Sequence, residues 1–259
     1  MKLILHYPTK PYFAGQKFGE CMLSICAKYK EMGLLGHNGI DSGAFHGQPI
    51  YASHDGIVTF AGEDGSGGLG AVIRTHEAME YKDKTAFYKT IYWHLKTGSI
   101  RLKASQEVKV GEIVGLADNT GFSTGDHLHY GLKPQYQGEQ NWEWWNAESD
   151  NGYKGAIDPM PFFSGKFAVD MFRHAFSKDL QFGTEGDDVR ALQTILQGLG
   201  FFPIEQETTQ FYGRITEQAV KEYQKQNNII SWGNPVLTGF GRAGPKTRAS
   251  LNSKYSIGM

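Results

Sequence analysis

Three short clusters of histidine and acid constrain this chain more than anything else in it. They are His37 and Asp41 in HNGID, His94 in YWHL with Tyr92 two positions before it, and His127 and His129 in GDHLHY. Histidine is the commonest metal ligand and the side chain that titrates nearest neutral pH. Taken one at a time, each of these histidines reads as a structural or surface residue. Taken together, the six residues read as one zinc site, so the fold must bring three distant segments to one point. On a strand, His127 and His129 point to the same face. One can then hold a metal while the other acts beside it. His37 and Asp41 are four apart and would share a face of a helix. The glycines and asparagine of HNGIDSG argue against a helix, so a curved loop or bent strand is expected. Two neutral imidazoles and one carboxylate make a catalytic type of zinc set, with a fourth position left for water.

The three motifs and the intervals between them resemble a known family. The HxxxD of His37 to Asp41, the YxHL of Tyr92 to Leu95 and the HLH of His127 to His129 look like those of the lysostaphin/LytM-type zinc endopeptidases, the M23 peptidases. GIDSGAFHGQPIYASHDGIVTFAG and VKVGEIVGLADNTGFSTGDHLHYGL match the intervals, and DPMPF at Asp158 to Phe162 is a weaker echo. The resemblance covers roughly residues 34–133. It implies that His37, Asp41 and His129 are the ligands of one zinc ion per chain, and that His94 and His127 are the catalytic pair that does not bind metal. His127 is expected to be the general base, being two residues from ligand His129 on one strand face. His94 is expected to be the oxyanion donor or a partner in proton transfer.

A length of 259 residues is enough for two domains with separate cores. The net charge of −1 offers no basic field, so nucleic acid is a poor partner. The 33 glycines are scattered through turns, as in a β-rich fold with many tight connections. Cys21 and Cys26 are the only cysteines. Two cysteines make no disulfide framework, and their spacing fits no zinc motif. Phe18, Met22, Ile25, Cys26 and Tyr29 follow a helical period within Lys17 to Met32, so buried free thiols on a helix are expected.

The apolar run at Leu3 to Leu5 is too short for the core of a signal peptide or for a membrane span. No signal peptide and no membrane insertion are therefore expected. A bacteriophage endolysin would fit, held in the host cytoplasm until release onto the wall. A secreted protein with its leader removed is the other reading, and a phage tail component shares the same chemistry.

The expected fold class is α+β. A mainly antiparallel β catalytic domain, a LytM-like sandwich or open barrel, spans residues 1–163. A connection follows at 164–181, then a small three-helix bundle at 182–259. Strands are expected at Ile50–Tyr51, Gly56–Phe60, Ala71–Arg74, Phe87–His94, Glu112–Leu116 and His127–Leu132. Thr75 to Thr90 and Gln135 to Ala156 read as insertions. The first suits an extended hairpin or loop. The second carries Trp142, Trp144 and Trp145, which either pack the loop onto the sheet or wall a substrate groove. His46 and His54 are expected at the surface, and Asp126 either orients His127 or favours the turn before it.

In the last part, Val189, Leu192, Ile195, Leu196 and Leu199 make an amphipathic helical pattern, with Asp187 as N-cap and Gly200 as terminator. Ala219, Val220 and Tyr223 repeat it behind Thr216 as N-cap, and Pro245 opens a third helix. GTEGDDVRALQTILQGLGF, YGRITEQAVKEYQ and GPKTRASL are similar to the peptidoglycan-binding domain 1 family, although SWGNPVLTGFG is longer than usual. The two resemblances together imply bacterial peptidoglycan as partner and hydrolysis of its stem or cross-bridge peptides. The rival from another class is a zinc-bearing module that binds wall, or activates a partner, without cutting.

Overall fold

The computed structural model describes residues 1–100, 102–140, 143–204, 206 and 208–255. The chain divides into two compact units after Met171. The first unit is built on strands β1 (Leu5–Tyr7), β2 (Phe13–Ala14), β3 (Ile40–Gly43), β4 (Pro49–Tyr51), β5 (Gly56–Asp64), β6 (Gly68–Arg74) and β7 (Met79–Tyr81). It continues through β8 (Lys84–Trp93), β9 (Glu107–Val108), β10 (Ile113–Leu116), β11 (His127–Gln137), β12 (Trp144–Asn146) and β13 (Phe163–Phe167), with one helix, α1 (Leu23–Glu31), between β2 and β3. The nine-stranded antiparallel sheet runs in the order β2-β3-β11-β8-β6-β5-β9, with β12 paired to β11 and β7 to β8. β4 and β10 form an antiparallel pair, and β1 pairs with β13 in parallel.

Period-two alternation decides which face of the sheet is core. Leu128, Tyr130 and Leu132 of β11 and Tyr88, Thr90 and Tyr92 of β8 are all fully buried on one face. They pack with Ile73, Val58, Leu95 and Val114 in the first core. Each such apolar side chain contributes about 1.5–3 kcal/mol by leaving water. The intervening residues, His127, His129 and Lys133 on β11 and Lys89, Ile91 and Trp93 on β8, are left for the other face. The expected strands all occur, most of them longer than their sequence signals. The Thr75 to Thr90 insertion is the β7–β8 hairpin, in which Tyr81 pairs with Lys84.

Several expectations need correction. Cys21 and Cys26 are not free thiols but a disulfide, their Cα atoms 4.8 Å apart. Only Cys26 is helical, because α1 begins at Leu23 and leaves Cys21 in the preceding loop, where it can turn back onto the first turns of the helix. His54 is buried, its Nε2 3.0 Å from Thr90 Oγ1 and its Nδ1 2.7 Å from the Asp55 carbonyl. Trp144 packs edge-on to Phe87 at 5.1 Å and stacks under the Arg74 guanidinium at 3.9 Å, which anchors its loop to the sheet. Trp145 is half exposed, and Trp142 lies outside the described residues.

The second unit starts at Phe172, so no separate connection exists at 164–181. β13 claims Phe163–Phe167 for the first unit. Phe172, Phe176 and Leu180 are apolar enough to join the core of the second. That core is closed by helices α2 (Asp187–Gly198), α3 (Arg214–Gln226) and α4 (Pro245–Tyr255). Val189, Leu192, Ile195, Leu196, Ala219, Val220 and Tyr223 point inward as expected, whereas Leu199 is 38% exposed. The caps are Gly186 and Gly213 rather than Asp187 and Thr216. Thr216 lies inside α3, where its buried hydroxyl accepts a hydrogen bond from Gln193 at 2.8 Å. Among the described residues, no helix is long and apolar enough to cross a membrane.

Candidate metal centre

β3 lies antiparallel beside β11 with Asp41 directly opposite His129. Cross-strand partners have Cβ atoms within about 5.5 Å, so pairing alone sets the carboxylate against the imidazole. His37 reaches the same point from the loop before β3. Its backbone N–H donates to the Glu20 carbonyl at 2.9 Å, and its own carbonyl accepts from Gly19 N–H at 2.8 Å. The segment is therefore loop followed by short strand, and no helix is involved.

His37 Nε2 lies 2.8 Å from His129 Nδ1. Asp41 Oδ1 lies 3.2 Å from His37 Nε2 and 3.4 Å from His129 Nδ1. Despite that closeness, Asp41 Oδ1 is buried without a properly directed hydrogen bond. His37 Nδ1 donates to the Lys17 carbonyl at 3.3 Å, which leaves Nε2 with a bare lone pair in the neutral ring. Two ring nitrogens and an orphaned carboxylate oxygen thus aim at one small volume, more acceptors than the single proton between the rings can satisfy. Two zinc–nitrogen bonds of about 2.0–2.1 Å at a tetrahedral angle would span about 3.3–3.4 Å. The two separations to Asp41 match that span, and the two rings need to part by about half an ångström. The donor set fits a divalent cation of the zinc type. Burial works to raise the Asp41 carboxyl, but His129 and His37 outweigh it and hold it below the ordinary carboxylate range.

The two remaining histidines share one arrangement. His94 Nδ1 donates to the Thr120 carbonyl at 2.7 Å, and His127 Nδ1 to the Gly125 carbonyl at 2.7 Å. Each neutral ring therefore offers a bare Nε2 to the cleft. The rings lie 4.6 Å apart, and His127 Nε2 is 3.6 Å from Asp41 Oδ1. His94 directly follows β8 at φ 67°, a left-handed conformation costly for a residue with a Cβ. Its carbonyl accepts from Asp118 N–H at 3.0 Å, which helps to hold the turn. Burial, reinforced by His129, pushes His94 down to about 4. Burial also lowers His129, against the opposing pull of Asp41.

Five of the six residues expected at the site are brought together. Tyr92 is not. It faces the core side of β8, where its hydroxyl accepts the Ser53 N–H at 2.9 Å. Asp126 does not orient His127, because the Gly125 carbonyl does. Asp126 instead faces the exposed His46 at 3.8 Å, and Asp118 lies 3.2 Å from that same ring. The orienting carbonyls of Thr120 and Gly125 carry no side-chain signature, although both lie in the DNTGFSTGDH run. The site floors a groove walled by Tyr29 of α1 and Met32 just after it, by Phe122, and by Trp93, Ile91 and Lys133 of the sheet.

Comparison with known proteins gives matches to both units. Residues 35–141 match the model "Peptidase family M23", and residues 185–231 match "Putative peptidoglycan binding domain". The chain is 40% identical over 94 residues to the DD-carboxypeptidase/endopeptidase Mpg of Neisseria meningitidis, covering 36% of this chain and 19% of that protein. It is 38% identical over 96 residues to the peptidoglycan DD-endopeptidase ShyA of Vibrio cholerae, covering 37% of this chain and 20% of that one. The chain thus spans about a fifth of the length of these curated relatives. The lysostaphin catalytic domain of Staphylococcus simulans superposes with TM-score 0.43 at 25% identity, covering 59% of this chain and 92% of that one.

Proposed function

We propose that this chain, which carries a peptidase family M23 domain and a peptidoglycan-binding domain, is a zinc-dependent endopeptidase that hydrolyses peptide bonds in bacterial peptidoglycan. The observation that carries the reading is the convergence of His37 Nε2, His129 Nδ1 and Asp41 Oδ1 within 3.4 Å of one another, with two further imidazole Nε2 atoms beside them. Those three residues would hold one Zn2+. Bound there, the ion would supply a Lewis acid for the scissile carbonyl and acidify water from pKa 15.7 to roughly 7.

The chain's own residues manage the proton. His127 Nε2, bare and open to the cleft, takes it from the attacking water, and the resulting imidazolium returns it to the leaving amine. His94 presents a second bare Nε2. A ring that donates from Nδ1 to Thr120 has no proton at Nε2 to offer an oxyanion, so the geometry favours His94 as the partner in proton transfer. The Gly125 and Thr120 carbonyls fix both tautomers, as an orienting acceptor does for a metal-bound histidine. The names of the relatives specify DD-endopeptidases, which makes bonds between D-residues of the cross-link the first substrate to test. The second unit would hold the catalytic unit near its polymer by raising effective concentration.

The test is release of new amino groups from purified walls, with fragments identified by mass spectrometry from walls of direct and of glycine-bridged cross-linking. The zinc-loaded protein should release them, and the chelated protein should not until zinc is restored. His127→Ala and His94→Ala should each lose on the order of 10²-fold or more while keeping zinc. His37→Ala should lose the metal itself. No release from protein shown to hold zinc would refute the endopeptidase and leave a binding module.

A further inference from the structure

The groove that holds the metal centre is also lined by Lys133 of the sheet, which stands at the end of a row of cations. Lys133 of β11 is the Cα partner of Lys89 of β8, and Lys89 is the partner of Arg74 of β6. Three positive residues therefore lie side by side across three neighbouring strands. Like charges directly opposite one another destabilise a sheet, so this row calls for a cause. Arg74 has one, since its guanidinium is stacked on Trp144 and lies 5.8 Å from the Phe87 ring centre. The two lysines do not. Both are half buried, and among the described residues neither makes an ion pair with a carboxylate. Burial lowers the pKa of each, and the neighbouring cations lower them further. Lys154, exposed beside the groove, adds to the same field, and Asp64 only partly offsets it at Lys133.

The row shares the face of the metal centre. Lys133 lines the same groove as His127 and His129, at odd positions of one strand. Four residues of strand separate Lys133 from His129, about 13 Å. Allowing for the reach of the lysine side chain, that is roughly two to four residues of extended peptide.

We propose that Lys133 and Lys89, with Lys154 at the rim, form a subsite for a carboxylate of the wall peptide, two to four residues from the bond cut. The proposal rests on the peptidase reading above and names a substrate feature for it. A carboxylate is favoured over other anions because Lys133 lines the same groove as His127 and His129, where the peptide would be cut. The anion must then belong to the same peptide, as its C-terminal or a side-chain carboxyl. The repulsion within the row is relieved when the ligand arrives, and each charge-assisted hydrogen bond in a desolvated site contributes strongly.

Zinc-loaded protein is titrated calorimetrically with a soluble cross-linked stem peptide and with its C-terminal and side-chain amides, and kcat/KM is measured for all three. The free acid should bind about ten- to a hundredfold tighter than one of the amides, and that amide identifies which carboxyl is read. In Lys89→Gln/Lys133→Gln the ratio should collapse to about one, whereas Lys89→Arg/Lys133→Arg should keep it. The Gln variant should melt no lower than the parent, because like-charge repulsion is removed; purely structural lysines would give a lower melting temperature. Equal binding of acid and both amides by the parent protein, or a ratio that survives in the Gln variant, overturns the proposal. If the acid is preferred but no peptide is cut, the subsite stands and the endopeptidase reading falls. If all three are cut at equal rates, the reverse holds.

Discussion

At the scale of single residues, a glycine and a histidine carry expectations that no motif announces. Gly39 sits between His37 and Asp41, two of the residues proposed to hold zinc. A Cβ placed there would lie 2.7 and 2.8 Å from His129 Cε1 and Nε2, and 2.6 Å from the Tyr130 carbonyl. Relieving both contacts requires the Gly39 backbone to shift away from β11 and the His129 ring to swing. Gly39→Ala should therefore weaken zinc binding by about 10–100-fold, the usual effect of disturbing what orients a ligand. Competition with a chromogenic chelator measures it, and unchanged affinity would show that the ring has room to move. His54 has a different consequence, a dependence of stability on pH. Burial is the largest effect on it, and it lowers the pKa from 6.5 to about 4. The unfolded chain binds this proton first, so the neutral form favours the fold. Its contribution is complete above pH 6.5, is lost as pH falls from there towards 4, and is constant below. At pH 4.5 the loss amounts to about 2–3 kcal/mol. His54→Asn should be less stable than the parent at pH 7.5. Its further loss on going to pH 4.5 should be smaller by about that amount in urea unfolding of the first unit.

At the scale of elements, α1 is the part of the groove wall with least support of its own. Nine residues are too few for a helix to persist alone in water. Ser24, Ile25 and Tyr29 of this helix line the groove, and Tyr29 is tied down by donating to Gln16 Oε1 at 2.9 Å. The Cys21–Cys26 disulfide closes a small loop over the start of the helix, worth about 2 kcal/mol in the chain-entropy account. Cys21→Ser/Cys26→Ser should speed hydrogen exchange of the α1 amides while leaving the zinc content unchanged. Faster exchange spread over the whole sheet would contradict this local role. This element also shows where sequence patterns stop being informative. Cys26 falls on the apolar helical period of Phe18, Met22, Ile25 and Tyr29, and only the start of α1 at Leu23 shows that Cys21 lies outside the helix, free to turn back onto it. The long strands were legible because alternation persisted over β8 and β11, and the HLH motif fixed which face of β11 carries the chemistry. β3 was only half legible: four residues ending in glycine show no alternation, and its identity comes from pairing with β11. Tyr92 was misplaced because two-residue spacing implies one face only while a strand continues, and β8 ends at Trp93 with His94 turned at φ 67°. His54 was misplaced because it lies in the bend between β4 and β5, where there is no alternation to read. The caps of α2 and α3 are glycines without side-chain hydrogen bonds, so Asp187 and Thr216 were misleading signals.

At the scale of the whole molecule, two cores matter. One is gathered around Tyr92, Tyr130 and Leu128, the other around Leu192, Val220 and Tyr223. The residues proposed to hold the metal, His37, Asp41 and His129, all belong to the first unit. A ligand that binds only the folded state stabilises by RT ln(1 + [L]/Kd), about 4 kcal/mol at a thousandfold excess over Kd. That stabilisation reaches only the unit whose unfolding destroys the site. Calorimetric melting should therefore show two transitions. Removing zinc should lower one of them by many degrees, and His37→Ala should lower the same one and abolish its response to zinc. The other should stay in place in all three samples, since the second unit buries its own apolar residues and contributes no ligand. A single transition that moves as a whole with zinc would mean that the cores unfold together, and the separate-unit account of stability would have to be given up.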